Sequence, residues 1–326
     1  MSKIRVAVIG AGYLGRQHVR IYSQLDSVEL VGVVDTNPEI AQGVAREFRT
    51  MAYSSYEEVL GQVAAVSLAV PTIAHSEIGC RLLSDGIDVL VEKPIASSAA
   101  EADALIQAAR EHQRVLQVGH LERFNPAVIA ARKMLTTPLF FEVHRLGVFT
   151  SRSLDIDVVL DLMIHDLDIV LDFVRSPVVA VSAVGLPILS SKIDIANARI
   201  EFGNGCVANL TASRVSSEKV RKLRFFQPSQ YLSIDYTRQD IVLMSIAPSL
   251  TTKAPAIVPS RIELQKAEPL RAEIESFLQT VRLRGQSAVP GEEGKRALEL
   301  GQQVVARIRD HTQSLSLSAP ILPRLP

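Results

Sequence analysis

Residues 4–15 read IRVAVIGAGYLG, a β-branched apolar run that ends in Gly10-Ala11-Gly12-Tyr13-Leu14-Gly15. A bare GxGxxG is a common pattern, but its setting here is specific. A strand-like run precedes it, a helical pattern follows it, and the next strand-like run ends in Asp35, twenty positions after Gly15. A dinucleotide-binding βαβ unit needs that arrangement. Gly10 permits the tight turn, Gly12 lets a pyrophosphate approach the backbone, and Gly15 lets helix pack closely on strand. The helix start at Tyr13 and Leu14 offers free N–H groups and a positive dipole end to phosphates. Asp35 would accept hydrogen bonds from ribose hydroxyls. A 2′-phosphate would be repelled there, and Thr36-Asn37 supplies no arginine to receive one. The expected cofactor is NAD rather than NADP.

Outward from this turn, the pattern repeats. Apolar runs at 4–10, 28–35, 64–71, 87–94 and 114–120 alternate with helical patterns at 13–25, 38–48, 74–85 and 98–111. Nearly continuous hydrophobicity marks strands covered on both faces, and strict alternation implies a doubly wound parallel sheet. The second half reads differently. A long helical pattern at 157–174 is followed by hairpin signals, ARIEF and CVANL around Gly203-Asn204-Gly205, then RKLRFF and QYLSIDY around Pro228-Ser229. This predicts a mostly antiparallel sheet. The Ala/Pro/Ser/Thr-rich stretch 247–260 reads as a loop, and helical patterns at 270–284 and 291–312 close the chain. The expected architecture is a Rossmann domain over 1–122 and an α+β domain with a large, mainly antiparallel open sheet over 123–326.

Bulk properties bound the function classes. The chain has 326 residues, 35 basic and 35 acidic, and a 47% hydrophobic fraction. A balanced charge gives no field for nucleic acid or an anionic membrane. No apolar run reaches the ~20 residues of a membrane helix. The opening MSKIRVAVIG enters a strand-like run without the features of a signal peptide. The two cysteines, Cys80 and Cys206, have no metal-ligand spacing. The expectation is a cytoplasmic protein with no bound metal.

Two further stretches carry candidate chemistry. VLVEKP ends at Glu92-Lys93-Pro94, where an open α/β sheet places ligands beyond its strand ends. A lysine in such a cleft can orient a hydroxyl or relay a proton, while a surface lysine paired with Glu92 is the plainer reading. LDLMIHDLDIV, 160–170, is largely apolar yet holds Asp161, His165, Asp166 and Asp168. At about 100° per residue, Asp157, Asp161, His165, Asp168 and Asp172 fall in a band roughly 80° wide, with Asp166 off it. Asp161 and His165 are i and i+4, and a carboxylate beside an imidazole fixes its tautomer and supports its protonated form. That suits a general base acting on an alcohol, although a structural cluster fits the same stripe.

Together, GAGYLG, EKP at 92–94, Asp161-x-x-x-His165, Glu273-x-x-x-Phe277 and GEEGKRALEL at 291–300 resemble the glucose–fructose oxidoreductase, inositol dehydrogenase and rhizopine-catabolism family (Gfo/Idh/MocA). The resemblance implies Lys93, Asp161 and His165 as catalytic residues, with His165 the base and Lys93 holding the reacting hydroxyl. It places Pro71-Thr72, His75, Glu92 and Lys93 along the cofactor. Gly119-His120 and Arg123-Phe124-Asn125-Pro126 would lie at the crossover, with Arg123 and Asn125 toward substrate. HLERFNPA and VVLDLMIHDLD most resemble the branch that oxidises the 3-hydroxyl of UDP-N-acetylglucosamine. Arg123, Arg145, Arg152 and Arg214 are then candidate donors to a diphosphate. Free sugars, inositols or other polyols are the alternative substrates, and a non-catalytic dinucleotide-binding regulator the alternative role. The resemblance also implies a homodimer or homotetramer.

Overall fold

A computed structural model describes residues 2–150, 156–247 and 256–314. The alternating first half forms β1 (Ile4–Ile9), α1 (Tyr13–Tyr22), β2 (Val28–Val34), α2 (Pro38–Phe48), β3 (Met51–Tyr53), β4 (Ala65–Leu68), α3 (His75–Ser84), β5 (Asp88–Glu92), α4 (Ala99–Glu111) and β6 (Leu116–Gly119). The six strands pair in parallel in the order β3-β2-β1-β4-β5-β6. This is the doubly wound order, with its switch point between β1 and β4, where the glycine turn lies.

The second half supplies α5 (Pro126–Met134), β7 (Phe140–Leu146), a π-helical turn (Val159–Met163) running into α6 (Ile164–Val174), and strands β8 (Val178–Leu186), β9 (Ile195–Phe202), β10 (Val207–Ser213), β11 (Val220–Gln227), β12 (Gln230–Asp235), β13 (Asp240–Ala247) and β14 (Ala256–Ile262). Their order is β14-β13-β12-β11-β7-β10-β9-β8. Only β7 and β10 pair in parallel. Both expected hairpins form: Gly205 takes φ 84° between β9 and β10, and Ser229 takes φ 62° between β11 and β12. The inner sheet face buries Phe141, Phe225 and Leu232, and Phe173 of α6 packs edge-on against Phe225 at 6.0 Å.

Three expectations need correction. First, part of the loop expected at 247–260 is the edge strand β14, paired with β13 from Ala256 to Ile262. Pro259 hid it, but an edge strand has one unpaired side and tolerates proline. Second, the helix expected over 157–174 is α-helical only from Ile164. Third, the chain divides into Met1–Leu121 with Glu268–Leu298, and Glu122–Ala267 with the segment from Glu299 onward. Helix α7 (Pro269–Leu283) and the first turns of α8 (Gly291–Ser314) therefore return to the first unit. The reason is apolar cover. Ile274, Phe277, Leu278 and Val281 form one stripe of α7, and it joins Val8, Val19, Tyr22 and Leu90 in the first unit's core. Among the described residues no helix is long and apolar enough to cross a membrane.

Phe277 is fully buried in that core. Phe277→Ala is expected to destabilise the chain by about 3–5 kcal/mol in urea denaturation. A loss below about 1 kcal/mol would show that α7 does not close the first unit's core.

Candidate active site

The glycine turn is built as its sequence requires. Gly10 has φ 95°, and a Cβ there would lie 2.4 Å from Ala69 O. A Cβ on Gly15 would lie 1.7 Å from Gly10 O, so only glycine lets α1 cross the end of β1 this closely. At Gly12, by contrast, a Cβ would meet no protein atom within 4 Å. The open side of Gly12 faces space a phosphate can fill. Gly12 is also the N-cap of α1 and offers no side-chain acceptor to the first N–H groups. Tyr13 is 66% exposed beside it, and Gly15, one turn on, is buried.

Asp35, at the end of β2, is half-buried. Its Oδ2 accepts from Ala11 N at 2.8 Å and its Oδ1 from Asn37 N at 2.9 Å. Each oxygen keeps a lone pair for a ribose hydroxyl. A cavity of about 500 Å³, lined by Gly10, Gly12, Asp35, Tyr56, Val70 and Pro71, runs beside this carboxylate. These residues fit a dinucleotide: Gly12 and the α1 N-terminus the pyrophosphate, Asp35 the adenosine ribose. Ser54, Ser55 and Tyr56 also line the cavity, and no sequence motif had marked them.

Two residues expected along the cofactor act as braces. His75 is buried, with Nδ1 3.0 Å from Pro94 O and Nε2 3.0 Å from Val70 O. It ties the loop after β4 to the turn after β5, and burial pulls its pKa below the ordinary histidine value. Glu92 is buried against Gly119, where a Cβ would come within 3.0 Å of Glu92 Oε2. Its Oε1 lies 3.0 Å from His18 Nε2, and its Oε2 accepts from Lys93 N at 3.3 Å. Burial pushes Glu92 up, but His18 and then Lys93 outweigh it and hold the carboxylate below the usual range. Lys93 itself is half-buried at the strand end, and its peptide bond to Pro94 is cis.

Beneath this strand end lies Glu273 of α7, fully buried. Neither of its carboxylate oxygens has a hydrogen-bond partner among the described residues. Burial first, and the charge of Glu92 second, push its pKa well above the ordinary value. Of the two acids, Glu92 is therefore the one that ionises more readily.

In the second unit the acidic stretch separates into two groups. Asp168 is bonded bidentately by Arg123, at 2.5 and 2.7 Å, and Asp172 meets Arg123 at 3.2 Å and also Arg132. Asp166 takes Arg145 bidentately, at 2.6 and 2.9 Å, while Glu122 takes its third nitrogen at 3.0 Å. Asp157 accepts from Ile193 N at 3.0 Å. All three of Asp166, Asp168 and Asp172 are buried, whereas Asp161 and His165 stay half-buried. Asp161 lies in the π-helical turn and His165 in the first turn of α6. The change of winding between them breaks the single stripe counted at one angle per residue.

Arg123 and Asn125, expected at substrate, both make buried contacts within the protein. Arg123 is the buried counter-ion just described. Asn125 caps α5 through Ala127 N at 3.1 Å and donates to Tyr236 O at 3.0 Å and to Glu122 at 3.2 Å. Arg145 and Arg214 line a cavity that also includes Asp161. Arg152 lies outside the described residues.

Residues 4–120 match the oxidoreductase family with an NAD-binding Rossmann fold (GFO_IDH_MocA), and 139–228 match the GFO/IDH/MocA C-terminal domain. The chain is 38% identical over 305 residues to UDP-N-acetylglucosamine 3-dehydrogenase of Acidithiobacillus ferrooxidans, covering 93% of this chain and 97% of that one. The chain belongs to the GFO/IDH/MocA oxidoreductase family. The chain is also 28% identical over 243 residues to scyllo-inositol 2-dehydrogenase (NAD(+)) of Bacillus subtilis, covering 66% of this chain and 68% of that one. The solved structure of the Acidithiobacillus enzyme superposes with TM-score 0.91 at 37% identity, covering 96% of this chain and 100% of that one. A levoglucosan dehydrogenase, solved with NADH and L-sorbose, shares the fold at TM-score 0.83 and 19% identity, over 95% of this chain and 98% of that one.

The paired acids give a pH test. A group whose pKa is raised on folding contributes stability below its unfolded pKa, and this is lost as pH rises toward the folded value. Glu273→Gln removes that dependence, so the variant should gain on the parent above pH ~4.3, by at most about 1.4 kcal/mol per pH unit. Denaturation at pH 5 and pH 8 measures it; a pH-independent difference would mean Glu273 is ionised in the fold.

Proposed function

We propose that this family member oxidises a sugar hydroxyl with NAD, and that its substrate is a UDP-N-acetylhexosamine oxidised at the 3-hydroxyl. The observation that carries the reading is near-complete coverage, at 38% identity, of a relative named for that reaction. The presence in this chain of Lys93, Asp161 and His165, the acid–base groups that the family resemblance implies, supports an enzyme over a regulator that only binds the dinucleotide.

When bound, NAD supplies the hydride acceptor. The chain's own residues do the rest. Gly10, Gly12, Tyr13, Leu14 and Gly15 hold the pyrophosphate, and Asp35 holds the ribose. Lys93 orients the reacting hydroxyl by donating to its oxygen. His165 takes the hydroxyl proton, and Asp161 supports the imidazolium that results. NAD is preferred because a 2′-phosphate would meet the Asp35 carboxylate. A polyol substrate is the second reading, favoured by the inositol dehydrogenase relative.

We also propose a homo-oligomer in a reducing cytoplasm. Val184, Leu186, Phe226, Met244, Ile246 and Ile257 stand exposed on the outer face of the second sheet, which supports self-association. The free Cys80 and Cys206 suit a reducing compartment.

With NAD, absorbance at 340 nm should grow on UDP-N-acetylglucosamine; growth only on free sugars or inositols would replace this substrate by the polyol reading. Lys93→Ala and His165→Ala should each lower kcat by about 10²–10⁴-fold, with NAD affinity within about threefold. Normal turnover in both would remove them from the chemistry. Asp35→Ser should narrow the preference for NAD over NADP by about tenfold or more in kcat/KM; an unchanged ratio would move cofactor discrimination elsewhere.

A further inference from the structure

The cavity beside Asp161 has a volume of about 450 Å³ and lies wholly within the second unit. Four cations line it: Arg145, Arg214, Lys219 and Arg221. Two of them are matched by the protein. Arg145 is held by Asp166 and Glu122 as described, and Arg214 lies 3.6 Å from Asp194. The other two are not. Among the described residues, no carboxylate oxygen lies within 4.0 Å of the charged nitrogens of Lys219 or Arg221.

The fold makes this costly at Arg221. Residues 221 and 145 are directly opposite on the antiparallel pair β11 and β7, a position where like charges destabilise a sheet. Burial first, and Arg145 second, pull the Arg221 guanidinium below its ordinary pKa. The charges of Glu122, Asp166 and Asp161 act the other way but less strongly. A half-buried guanidinium held against its neighbours, with an exposed lysine two residues before it, calls for an anion from outside the chain. A polyol brings no charge to this cavity. A nucleoside diphosphate brings two adjacent anionic groups, which a planar guanidinium can grip bidentately.

We infer that Arg221 and Lys219 hold the diphosphate of a nucleotide-sugar substrate, with the sugar ring extending toward Asp161 in the same cavity. This rests on the nucleotide-sugar reading above and names the residues that would select it over a polyol. Arg221 grips the phosphate oxygens from the sheet, and Lys219 closes over them from the exposed rim. Arg145 and Arg214, already paired, shape the wall and add positive potential.

The test is steady-state kinetics of the full chain with UDP-N-acetylglucosamine and NAD, with UDP and uridine as inhibitors, on the parent, Arg221→Met and Lys219→Ala. Arg221→Met should raise the sugar-nucleotide KM by about 10- to 100-fold and weaken UDP inhibition in parallel. Its kcat should change less than about threefold, uridine inhibition should be unaffected, and the unfolding midpoint should not fall. Lys219→Ala, on the exposed rim and without risk to folding, should raise KM by about tenfold. If the parent oxidises UDP-N-acetylglucosamine and both variants keep KM and UDP inhibition within twofold, the diphosphate binds elsewhere and the inference is overturned while the proposed function stands. A parent that neither oxidises UDP-N-acetylglucosamine nor responds to UDP overturns the nucleotide-sugar reading, and this inference with it.

Discussion

The close crossing of α1 over the end of β1 is the constraint on which the first unit depends. It exists because Gly15 has no Cβ to strike Gly10 O, 1.7 Å away from where that atom would be. The crossing brings the bare N-terminus of α1 to the switch point of the sheet. Ala11 N donates to Asp35 and Gly10 N to Val34 O, so the turn is tied to the end of β2. One steric fact thus sets the bare helix end, the position of the Asp35 carboxylate and the cavity beside them.

Charge matching organises the second unit in the same way. A chain cannot bury Asp166, Asp168 and Asp172 on one helix without cations at hand. Arg123, Arg132 and Arg145 meet this need from the turn before α5, from α5 and from β7 respectively. The pairings fix α6 against the sheet, and the residues outside them stand out by contrast. Asp161 and His165 remain half-buried on either side of the point where the π-helical turn gives way to α6. In the first unit two buried carboxyl groups move in opposite directions: His18 and Lys93 hold Glu92 below the ordinary range, while burial and the charge of Glu92 push Glu273 above it.

Local features were legible in the sequence, and tertiary ones were not. The glycine turn, Asp35, the first unit's alternation and both hairpins are written within short windows, where periodicity and turn chemistry act directly. Strand β14 was missed because Pro259 argues against a strand until the edge position is known. The return of α7 to the first unit was missed because an apolar stripe does not say which core it covers. The stripe of acids misled for a related reason: a fixed angle per residue cannot cross a π-helical turn, and the arginine partners come from other elements. The pairing of Arg123 with Asp168 was not legible in the sequence, because the two residues lie 45 positions apart. Arg221 carried no motif at all; only the pairing of β11 with β7 brings it to the cavity.

The central claim is that hydride leaves a ring carbon of a nucleotide sugar for NAD. Its most direct measurement uses UDP-N-acetylglucosamine deuterated at C3 and mass spectrometry of the reduced dinucleotide. The claim requires NADH heavier by one deuterium together with a 3-keto sugar product. Unlabelled NADH, or no reduction from this substrate while a polyol is oxidised, would contradict it.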